Sequence, residues 1–523
     1  MTRHTNGRLK QTREMSRPDL MNGWTARHDV KKRMDGIMRE RRMAATDGVT
    51  LCTDGGVEPL TANSVIRLTM LDHHTRVWCA HGWQDIKPIA AELMQRLPLQ
   101  SNPAKDGVWG TFNIRGHFYS FRVRMGGVTV DFLDVRNITR DDGLNVSRET
   151  FGGMNDLETT WNIAQECAAL NLKGTTIASM AMTDYIDGDY AGFRRHFPPL
   201  TKEDYHRMRP AYYGAIVYSK PGEYQDCRSW DVNSLYPSIM RDAPMPTGSP
   251  IWYDGEYRHD DDYPLHIDVI SFDARLKRKK TATLTNILPV WGYEGERLDS
   301  TLGVVTMPVT NVDWETLSEN YDMHVWEHVG GWKFRKSHGL YYNYVDKWFH
   351  VKQTTTGERR QMAKLLLNSL VGKFGASLYR PLLHPKPSVD GGVDFTVDKP
   401  ESANSLAWLP TAAYVNAYGR QILSRAMNAN TDRVLYADTD GMILEGLDAP
   451  IGIEADDQKL GSWKNDHTYE KLRILGNRKY CGVETGGDIV MRLSGVHRAA
   501  PIPYDEFTTG SHHLNDDGHV FVL

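Results

Sequence analysis

The sequence predicts an α/β multidomain protein, and three features of the chain support this. Its 523 residues exceed the roughly 250–300 residues at which single hydrophobic cores stop growing, so several domains are expected. Hydrophobic residues make up 40% and charged residues 24% of the chain, as in folded, soluble proteins. Between residues 50 and 205, short β-branched and aromatic runs alternate with longer amphipathic runs, which is typical of strands alternating with helices.

The composition argues against several classes of protein. We find no run near the roughly 18 apolar residues that a bilayer span requires and no signal peptide, so we expect a cytoplasmic protein without a membrane partner. We also expect a monomer. The five cysteines are scattered and form no C-x-x-C pair, which argues against a zinc site or a disulfide framework. The formal net charge of -4 argues against coating of nucleic acid by bulk attraction.

The N-terminus is a local exception to this charge balance. Its first 43 residues contain 12 Lys and Arg against 5 Asp and Glu, so we predict a basic extension over residues 1–45. A solvated tail and a nucleic-acid-binding arm are both open interpretations of this stretch.

Local patterns predict the elements that follow. In the first half we predict strands and helices over these ranges: Thr50–Thr53, Val77–Ala80, Phe118–Val123 and Val128–Leu133 as strands, Ile86–Leu97 and Leu157–Leu172 as helices. In the second half, Arg228–Asp231 predicts a strand that turns sharply into a helix with Pro237 in its first turn. Residues 354–376 predict a long helix with an apolar stripe.

Three acids are the first chemical signal. Asp438-Thr-Asp-Gly441 lies between two hydrophobic runs and predicts a tight β-hairpin, with Asp438 and Asp440 on one face if the strand continues through them. At about 4 Å such carboxylates repel by about 1 kcal/mol in water and about 4 kcal/mol at an effective dielectric near 20. With Asp231 at another strand end, these oxygens suit two Mg²⁺ ions about 3.5–4 Å apart, the arrangement used for phosphoryl transfer.

Basic and aromatic side chains complete the pattern. Arg360, Lys364 and Asn368 recur every fourth residue on one helix face, where they could bind a triphosphate and a nucleotide. Tyr236, close to Asp231 in sequence, could exclude a 2′-hydroxyl by contact. Alone, each feature has an ordinary structural explanation, such as a solvated turn, a solvated helix face or a core aromatic. Together, and in this order, they indicate a nucleotidyl transferase.

The ordered set resembles the motifs of the family B DNA polymerases, D-x-x-S-L-Y-P-S, K-x-x-x-N-S-x-Y-G and Y-x-D-T-D-S. They occur here as Asp231-Val-Asn-Ser-Leu-Tyr-Pro-Ser238, Lys364-Leu-Leu-Leu-Asn-Ser-Leu-Val-Gly372 and Tyr436-Ala-Asp-Thr-Asp-Gly441. The strings Asp262-Tyr-Pro-Leu-His-Ile267 and Thr310-Asn-Val-Asp-Trp314 are similar to those of the protein-primed branch found in bacteriophages.

The resemblance implies a right-hand polymerase (palm, fingers, thumb) preceded by a ribonuclease-H-like 3′–5′ exonuclease-type domain. The implied domains are a basic extension (1–45), an exonuclease-like domain (46–205), a palm with a first insertion (206–350), fingers (351–376), a second insertion (377–410), a palm segment with the metal-site hairpin (411–460) and a short thumb (461–523). The implied partners are a DNA template and primer, dNTPs and a terminal protein whose hydroxyl primes synthesis.

The resemblance also assigns site residues by position. Two Mg²⁺ or Mn²⁺ ions would be held by the side chains of Asp231, Asp438 and Asp440 and the backbone carbonyl of Val232. Nucleotide binding falls to Tyr236, Arg360, Lys364, Asn368 and Ser369. Contacts to primer and template fall to Tyr212 and Gly214 in Tyr212-Tyr-Gly-Ala215, and to Arg478 and Tyr480 in Arg478-Lys-Tyr480, which has Arg for the first Lys of K-x-Y.

The chain also departs from the family pattern. Val371 replaces the tyrosine of the second motif, and Gly441 replaces the serine of the third. Of the exonuclease motifs only three acids have counterparts, Asp54, Asp85 and Asp156, while glycines lie where the other motif residues are expected. We therefore expect weak or absent exonuclease activity.

Three functions remain open at this point. The leading hypothesis is a DNA-templated DNA polymerase, protein-primed, in phage or mobile-element replication. The alternative is a catalytically degenerate polymerase fold that binds nucleic acid, and a nuclease run by the N-terminal acids is the third.

Overall fold

The computed structural model describes residues 41–113, 116–139, 150–283, 299–301, 303–379, 381–398, 406–496, 501–515 and 518–523. The predicted extension up to residue 40, and parts of both predicted insertions, lie outside these residues. Among the described residues, no helix is both long and apolar enough to cross a membrane.

Twenty-two strands and twelve α-helices make up the described chain. The strands are β1 (Arg41–Thr46), β2 (Thr50–Thr53), β3 (Gly56–Pro59), β4 (His74–Cys79), β5 (Gly107–Asn113), β6 (Phe118–Met125), β7 (Val128–Asp134), β8 (Val217–Ser219), β9 (Gly222–Val232), β10 (Met245–Asp254), β11 (Leu265–Leu276), β12 (Val305–Thr310), β13 (Tyr321–Ser337), β14 (Leu382–Pro387), β15 (Val393–Asp398), β16 (Val434–Asp438), β17 (Gly441–Glu445), β18 (Trp463–Gly476), β19 (Lys479–Glu484), β20 (Ile489–Leu493), β21 (His512–Leu514) and β22 (Val520–Val522). The helices are α1 (Ala62–Thr69), α2 (Trp83–Arg96), α3 (Arg136–Thr139), α4 (Asp156–Ala169), α5 (Ile177–Ile186), α6 (Tyr190–His196), α7 (Lys202–Met208), α8 (Leu235–Asp242), α9 (Asn311–Asn320), α10 (Tyr342–Thr354), α11 (Gly357–Phe374) and α12 (Leu409–Ala429).

The chain divides into two compact units. The first takes its described residues from Met1–Gly188, Thr354–Leu370 and Ser377–Ser405. It contains a nine-stranded sheet in the order β15-β14-β5-β6-β7-β4-β1-β2-β3, in which β1, β4 and β7 run parallel. Strand β7 is buried along its whole length, as expected for a parallel strand covered on both faces.

Two boundaries in the first unit differ from the sequence predictions. Strand β1 begins at Arg41 and pairs with β4 and β2, so this domain begins before residue 46. The Arg41-Arg42 pair made this stretch resemble a basic tail in the sequence, but the apolar residues that follow, Met43–Ala45, are buried. The described part of the predicted second insertion, β14 and β15, joins the same sheet through β5, and the Phe395 ring lies 4.9 Å from that of Phe112.

The second unit takes its described residues from Asp189–Gln353, Val371–Ala376 and Leu406–Leu523. Its main sheet has seven strands in the order β20-β19-β18-β9-β17-β16-β8, and β10-β13-β11-β12 form a second sheet. The predicted hairpin is present as β16 and β17, but its two turn residues are Thr439 and Asp440, because Gly441 already pairs as part of β17. Strand β16 therefore does not continue through both acids.

A buried ion pair fixes helix α12 within this unit. Arg420 and Asp313, which are 1% and 2% exposed, make two hydrogen bonds of 2.9 and 2.8 Å. Arg420 also donates to the carbonyls of Tyr213 and Gly214, at 2.7 and 3.1 Å. All three nitrogens of this buried guanidinium thus donate hydrogen bonds, which is the condition for a buried charge to be tolerated.

Breaking this pair should be costly. Arg420→Leu should lower the free energy of unfolding by about 3–5 kcal/mol, because it leaves Asp313 charged and buried. The matched control is Arg425→Leu, which removes a 47%-exposed arginine paired with Glu315 and Glu319 across the same two helices. That control should cost under about 1 kcal/mol. Chemical denaturation measures the free energy of unfolding of both variants. Equal losses would contradict the assignment of Arg420–Asp313 as a buried, stabilising ion pair.

Candidate active site

The seven-stranded sheet brings the three predicted acids to one cavity. Asp231 lies near the end of β9 and pairs with Gly441 of β17, which in turn pairs with Asp438 of β16. The backbone N–H of Val232 donates to the carbonyl of Asp440 at 2.8 Å. Asp231, Asp438 and Asp440 all line a cavity of about 790 Å³.

The turn between β16 and β17 is tightly specified. Thr439 has a φ of +62°, and its N–H donates to the carbonyl of Ile216 at 2.9 Å. A Cβ at Gly441 would lie 3.1 Å from a carboxylate oxygen of Asp231. Glycine in place of the family's serine therefore lets the Asp231 carboxylate lie against the hairpin backbone.

Electrostatics at the cavity favour positive charge. Burial, and then the nearby charge of Asp438, raise the pKa of Asp440 to about 6, while Lys464 and Arg492 oppose this shift. Lys464 Nζ lies 3.9 Å from an oxygen of Asp231. The Arg478 guanidinium donates to both oxygens of Asp438, at 3.0 and 3.1 Å.

The acids fit a divalent ion by their donor chemistry. Carboxylate oxygens are ligands that Mg²⁺ and Mn²⁺ prefer, and a cation would relieve both the burial and the repulsion by Asp438 that raise the pKa of Asp440. Within the described ranges, however, no group of three or more His, Cys, Asp or Glu side chains is already arranged around an ion position. One of the three acids, Asp438, already accepts two hydrogen bonds from the Arg478 guanidinium.

Tyr236 lies on helix α8, directly after the sharp bend that the sequence predicted. Ser234, the residue before this helix, has a φ of +58°. Lys352 holds the bend by donating to Asn233 Oδ1 and Ser234 Oγ, both at 2.9 Å. The Tyr236 ring packs against Gly419 of α12, where a Cβ would lie 3.0 Å from it. Burial raises the pKa of Tyr236 to about 12, so the phenol is neutral.

The loop with Tyr212 and Gly214 is held by α12. Asn416 donates to the carbonyl of Tyr213 at 2.9 Å, beside the bonds that Arg420 makes to the same loop. The Arg420 guanidinium also lies 3.6 Å from the centre of the Tyr213 ring. Sequence reasoning missed these holding residues and Lys352, since each is distant in sequence from the motif it supports.

The remaining predicted residues fall into two groups. Tyr480 is buried, with its ring 5.0 Å from that of Tyr436. On α11, Arg360, Lys364 and Asn368 are exposed, whereas Ser369 is buried. These four belong to the first compact unit, so their place at the cavity stays a prediction.

The exonuclease-type acids are bridged by a histidine. His81 lies 3.2 Å from an oxygen of Asp85 and 2.9 Å from one of Asp156, and the hydrogen bond to Asp85 raises the pKa of His81. Arg136, missed in the sequence, bonds both Asp134 and the His81 carbonyl.

Asp54 is not part of this group in the structure. It lies 3.6 Å from Arg42 and lines another cavity, and burial raises its pKa.

Comparison with solved structures identifies the class of fold. The structure matches that of phi29 DNA polymerase complexed with primer-template DNA and incoming nucleotide, with a TM-score of 0.77 and 22% identity. The match covers 91% of this chain and 95% of the phi29 polymerase chain. The match to phi29 DNA polymerase complexed with single-stranded DNA has a TM-score of 0.75. The predicted α/β polymerase fold is thus confirmed.

The family follows from the sequence comparisons. Residues 155–446, more than half of the chain, match the model of DNA polymerase type B, organellar and viral, and the chain belongs to this family. It is 34% identical over 296 residues to the DNA polymerase of Bacillus phage Nf, covering 55% of this chain and 51% of that protein. It is 27% identical over 259 residues to that of Streptococcus phage Cp-1, covering 48% and 45%. The chain matches about half the length of these relatives.

The raised pKa of Asp440 makes a prediction about stability. The folded protein binds this proton more tightly than the unfolded chain, so the free energy of unfolding falls as pH rises from 3.8 to about 6. Asp440→Asn should therefore match the parent near pH 4 and exceed it by about 1 kcal/mol above pH 6, after discounting for solvent. Denaturation across this pH range measures the difference. The exposed-acid control Asp448→Asn should show no such gain, and a pH-independent difference for Asp440→Asn would contradict the raised pKa of Asp440.

Proposed function

We propose that the protein is a DNA-templated DNA polymerase that adds dNTPs to a 3′-hydroxyl or a terminal-protein hydroxyl. The observation that carries this proposal is the set of three carboxylates on β9, β16 and the following turn, which line one cavity near the half-buried Tyr236. Membership of the type B family and the similarity to phage DNA polymerases support it.

The proposed mechanism assigns a task to each group. Asp231, Asp438, Asp440 and the Val232 carbonyl would hold two Mg²⁺ or Mn²⁺ ions, which would supply stabilisation of charge on the attacking and leaving oxygens. Tyr236 contacts the sugar and excludes a 2′-hydroxyl.

The fingers side chains bind the incoming nucleotide. Arg360 and Lys364 neutralise its triphosphate, while Asn368 and Ser369 form the pocket for the new base pair. With Val371 in place of the family tyrosine, the pocket has an aliphatic floor.

Template and primer are bound by two separate sets of residues. Tyr212 and Gly214, held by α12, contact the template strand, and Arg478 and Tyr480 contact the primer terminus. The solved relatives bind primer-template DNA and incoming nucleotide, which supports these partners for this chain. Priming by a terminal protein and action in the host cytoplasm are proposed from the likeness to phage polymerases.

We propose weak or absent exonuclease activity. The His81 bridge supports this, since a raised pKa favours a cation between Asp85 and Asp156, where hydrolysis would require metal ions. A nuclease is therefore the least supported function.

A nucleic-acid-binding protein without catalysis is the second candidate. Two observations favour it: Arg478 forms hydrogen bonds with both oxygens of Asp438, and no ready ion position exists among the described residues. Such a protein would bind primer-template DNA but incorporate no nucleotide.

Asp440→Ala tests the function directly. With primer-template DNA, dNTPs and Mg²⁺ or Mn²⁺, it should reduce primer extension at least about a thousandfold, because an interaction required only in the transition state is lost. Asp448→Ala, an exposed acid outside the cavity, should extend primers normally. Retained extension by Asp440→Ala would refute the metal assignment, and no extension by the parent protein would favour the binding-only function.

Tyr236→Val tests the sugar filter. Removing the ring should raise incorporation of ribonucleotides relative to deoxyribonucleotides by roughly 10–200-fold, the range that one pocket contact provides. Single-nucleotide incorporation with matched dNTP and rNTP measures the ratio. A parallel substitution, Tyr218→Val, removes a tyrosine of β8 rather than of helix α8, which carries Tyr236, and should leave the ratio unchanged. An unchanged ratio in Tyr236→Val would show that another group excludes the 2′-hydroxyl.

A further inference from the structure

Arg478 makes the most specific contact in the cavity. Its Nε donates to Asp438 Oδ2 at 3.0 Å and its Nη2 donates to Oδ1 at 3.1 Å. The Thr439 hydroxyl donates to the same Oδ1 at 2.9 Å. Both oxygens of one proposed metal ligand are therefore engaged by donors of the protein itself.

The backbone on both sides of this contact is well defined. Arg478 lies in the turn between β18 and β19 with a φ of +57°, and its carbonyl accepts from the N–H of Ser494 at 3.0 Å. Its neighbour Asn477 accepts a hydrogen bond from Ser219 of β8 at 2.9 Å. Two hairpin turns, each with a left-handed residue, thus face each other across the Arg478–Asp438 contact.

A divalent ion and this guanidinium compete for the same carboxylate. Binding of an ion needs the oxygen lone pairs that the two N–H groups occupy, and a nearby fixed positive charge repels the ion. Arginine is suited to this contact because its planar fork matches a carboxylate at two points, whereas a lysine offers one point charge.

The guanidinium also has an alternative partner in phosphate. Arginine binds phosphate oxygens with the same two-point geometry. The Arg478 side chain is 51% exposed at the edge of the cavity, so it can exchange partners without rearrangement of a core.

We propose that Arg478 is a positioning residue that couples divalent-cation binding to nucleic-acid binding. In the protein without nucleic acid it occupies Asp438. A backbone phosphate of bound DNA withdraws it, and Asp438 then becomes available to the cation. The inference rests on the proposed function, since it uses the same carboxylates. Because coupling between two ligands is reciprocal, Mn²⁺ also tightens binding of DNA by the same factor.

Mn²⁺ binding to the full chain, followed by electron paramagnetic resonance, tests this without any catalytic readout. In the parent protein, saturating primer-template DNA should tighten Mn²⁺ binding about three- to fivefold, the worth of one partly exposed ion pair, after subtraction of ions bound by DNA alone. Arg478→Gln should bind Mn²⁺ more tightly by a similar factor without DNA, and DNA should add nothing further. Arg478→Lys should lie between the two.

The matched control is Lys479→Gln, which removes one positive charge at the next residue. Lys479 does not line the cavity, so this variant should keep the full coupling between DNA and Mn²⁺. If Lys479→Gln abolished the coupling as Arg478→Gln does, general charge would explain the effect and the inference would be wrong. If Arg478→Gln failed to fold, as judged by circular dichroism, Arg478→Lys would decide on its own.

The outcomes separate the inference from the proposed function. Equal Mn²⁺ affinity in the parent and Arg478→Gln without DNA would overturn the inference even if primers were extended. The expected coupling in a protein that incorporates no nucleotide would support the inference and overturn the polymerase function. Absence of Mn²⁺ binding in every variant would overturn both.

Discussion

The second unit depends on one electrostatic constraint, the repulsion between carboxylates that its main sheet places side by side. Hydrogen bonding of β9, β17 and β16 fixes Asp231 and Asp438 one strand apart, and the turn adds Asp440. Such a set is stable only with positive charge nearby. Arg478 and Lys464 supply such charge, and burial together with Asp438 still raises the pKa of Asp440 to about 6. The acids therefore cost stability, as is common where a fold retains groups for function.

The first unit also places carboxylates close together, but there side chains of the protein bridge them. There His81 lies between Asp85 and Asp156, and Arg136 makes hydrogen bonds to Asp134 within the same cluster. Positively charged side chains hydrogen-bonded to these carboxylates stabilise their charge, so no metal ion is needed for that purpose. At the main cavity the Arg478 guanidinium donates to Asp438 alone, whereas His81 contacts two acids at once. The two sites therefore differ in how many acids a single protein cation bridges.

Much of this arrangement could be predicted from the sequence because its signals are local. Strand β2 has the predicted bounds, and the long helix and the hairpin lie within a few residues of their predicted positions. What escaped prediction acts across long sequence separations. Lys352 supports Asn233, and Arg420 supports Tyr213, about a hundred and two hundred residues away, where one sequence carries no pattern linking them. The boundary at residue 46 was wrong for a local reason. The charged pair Arg41-Arg42 begins a strand whose following residues are buried, so its charge did not indicate a solvated tail.

Helix α12 shows why such distant contacts matter to the site. Asn416, Gly419 and Arg420 follow a spacing of three and four residues, so they share one helix face. That face holds the Tyr213 carbonyl through Asn416 and Arg420 and packs against the Tyr236 ring at Gly419. A purely apolar helix could fill the same space but could not satisfy the loop carbonyls. One rigid element thus sets the positions of the tyrosine and of the loop together, and the buried Arg420–Asp313 pair is the polar anchor that this requires.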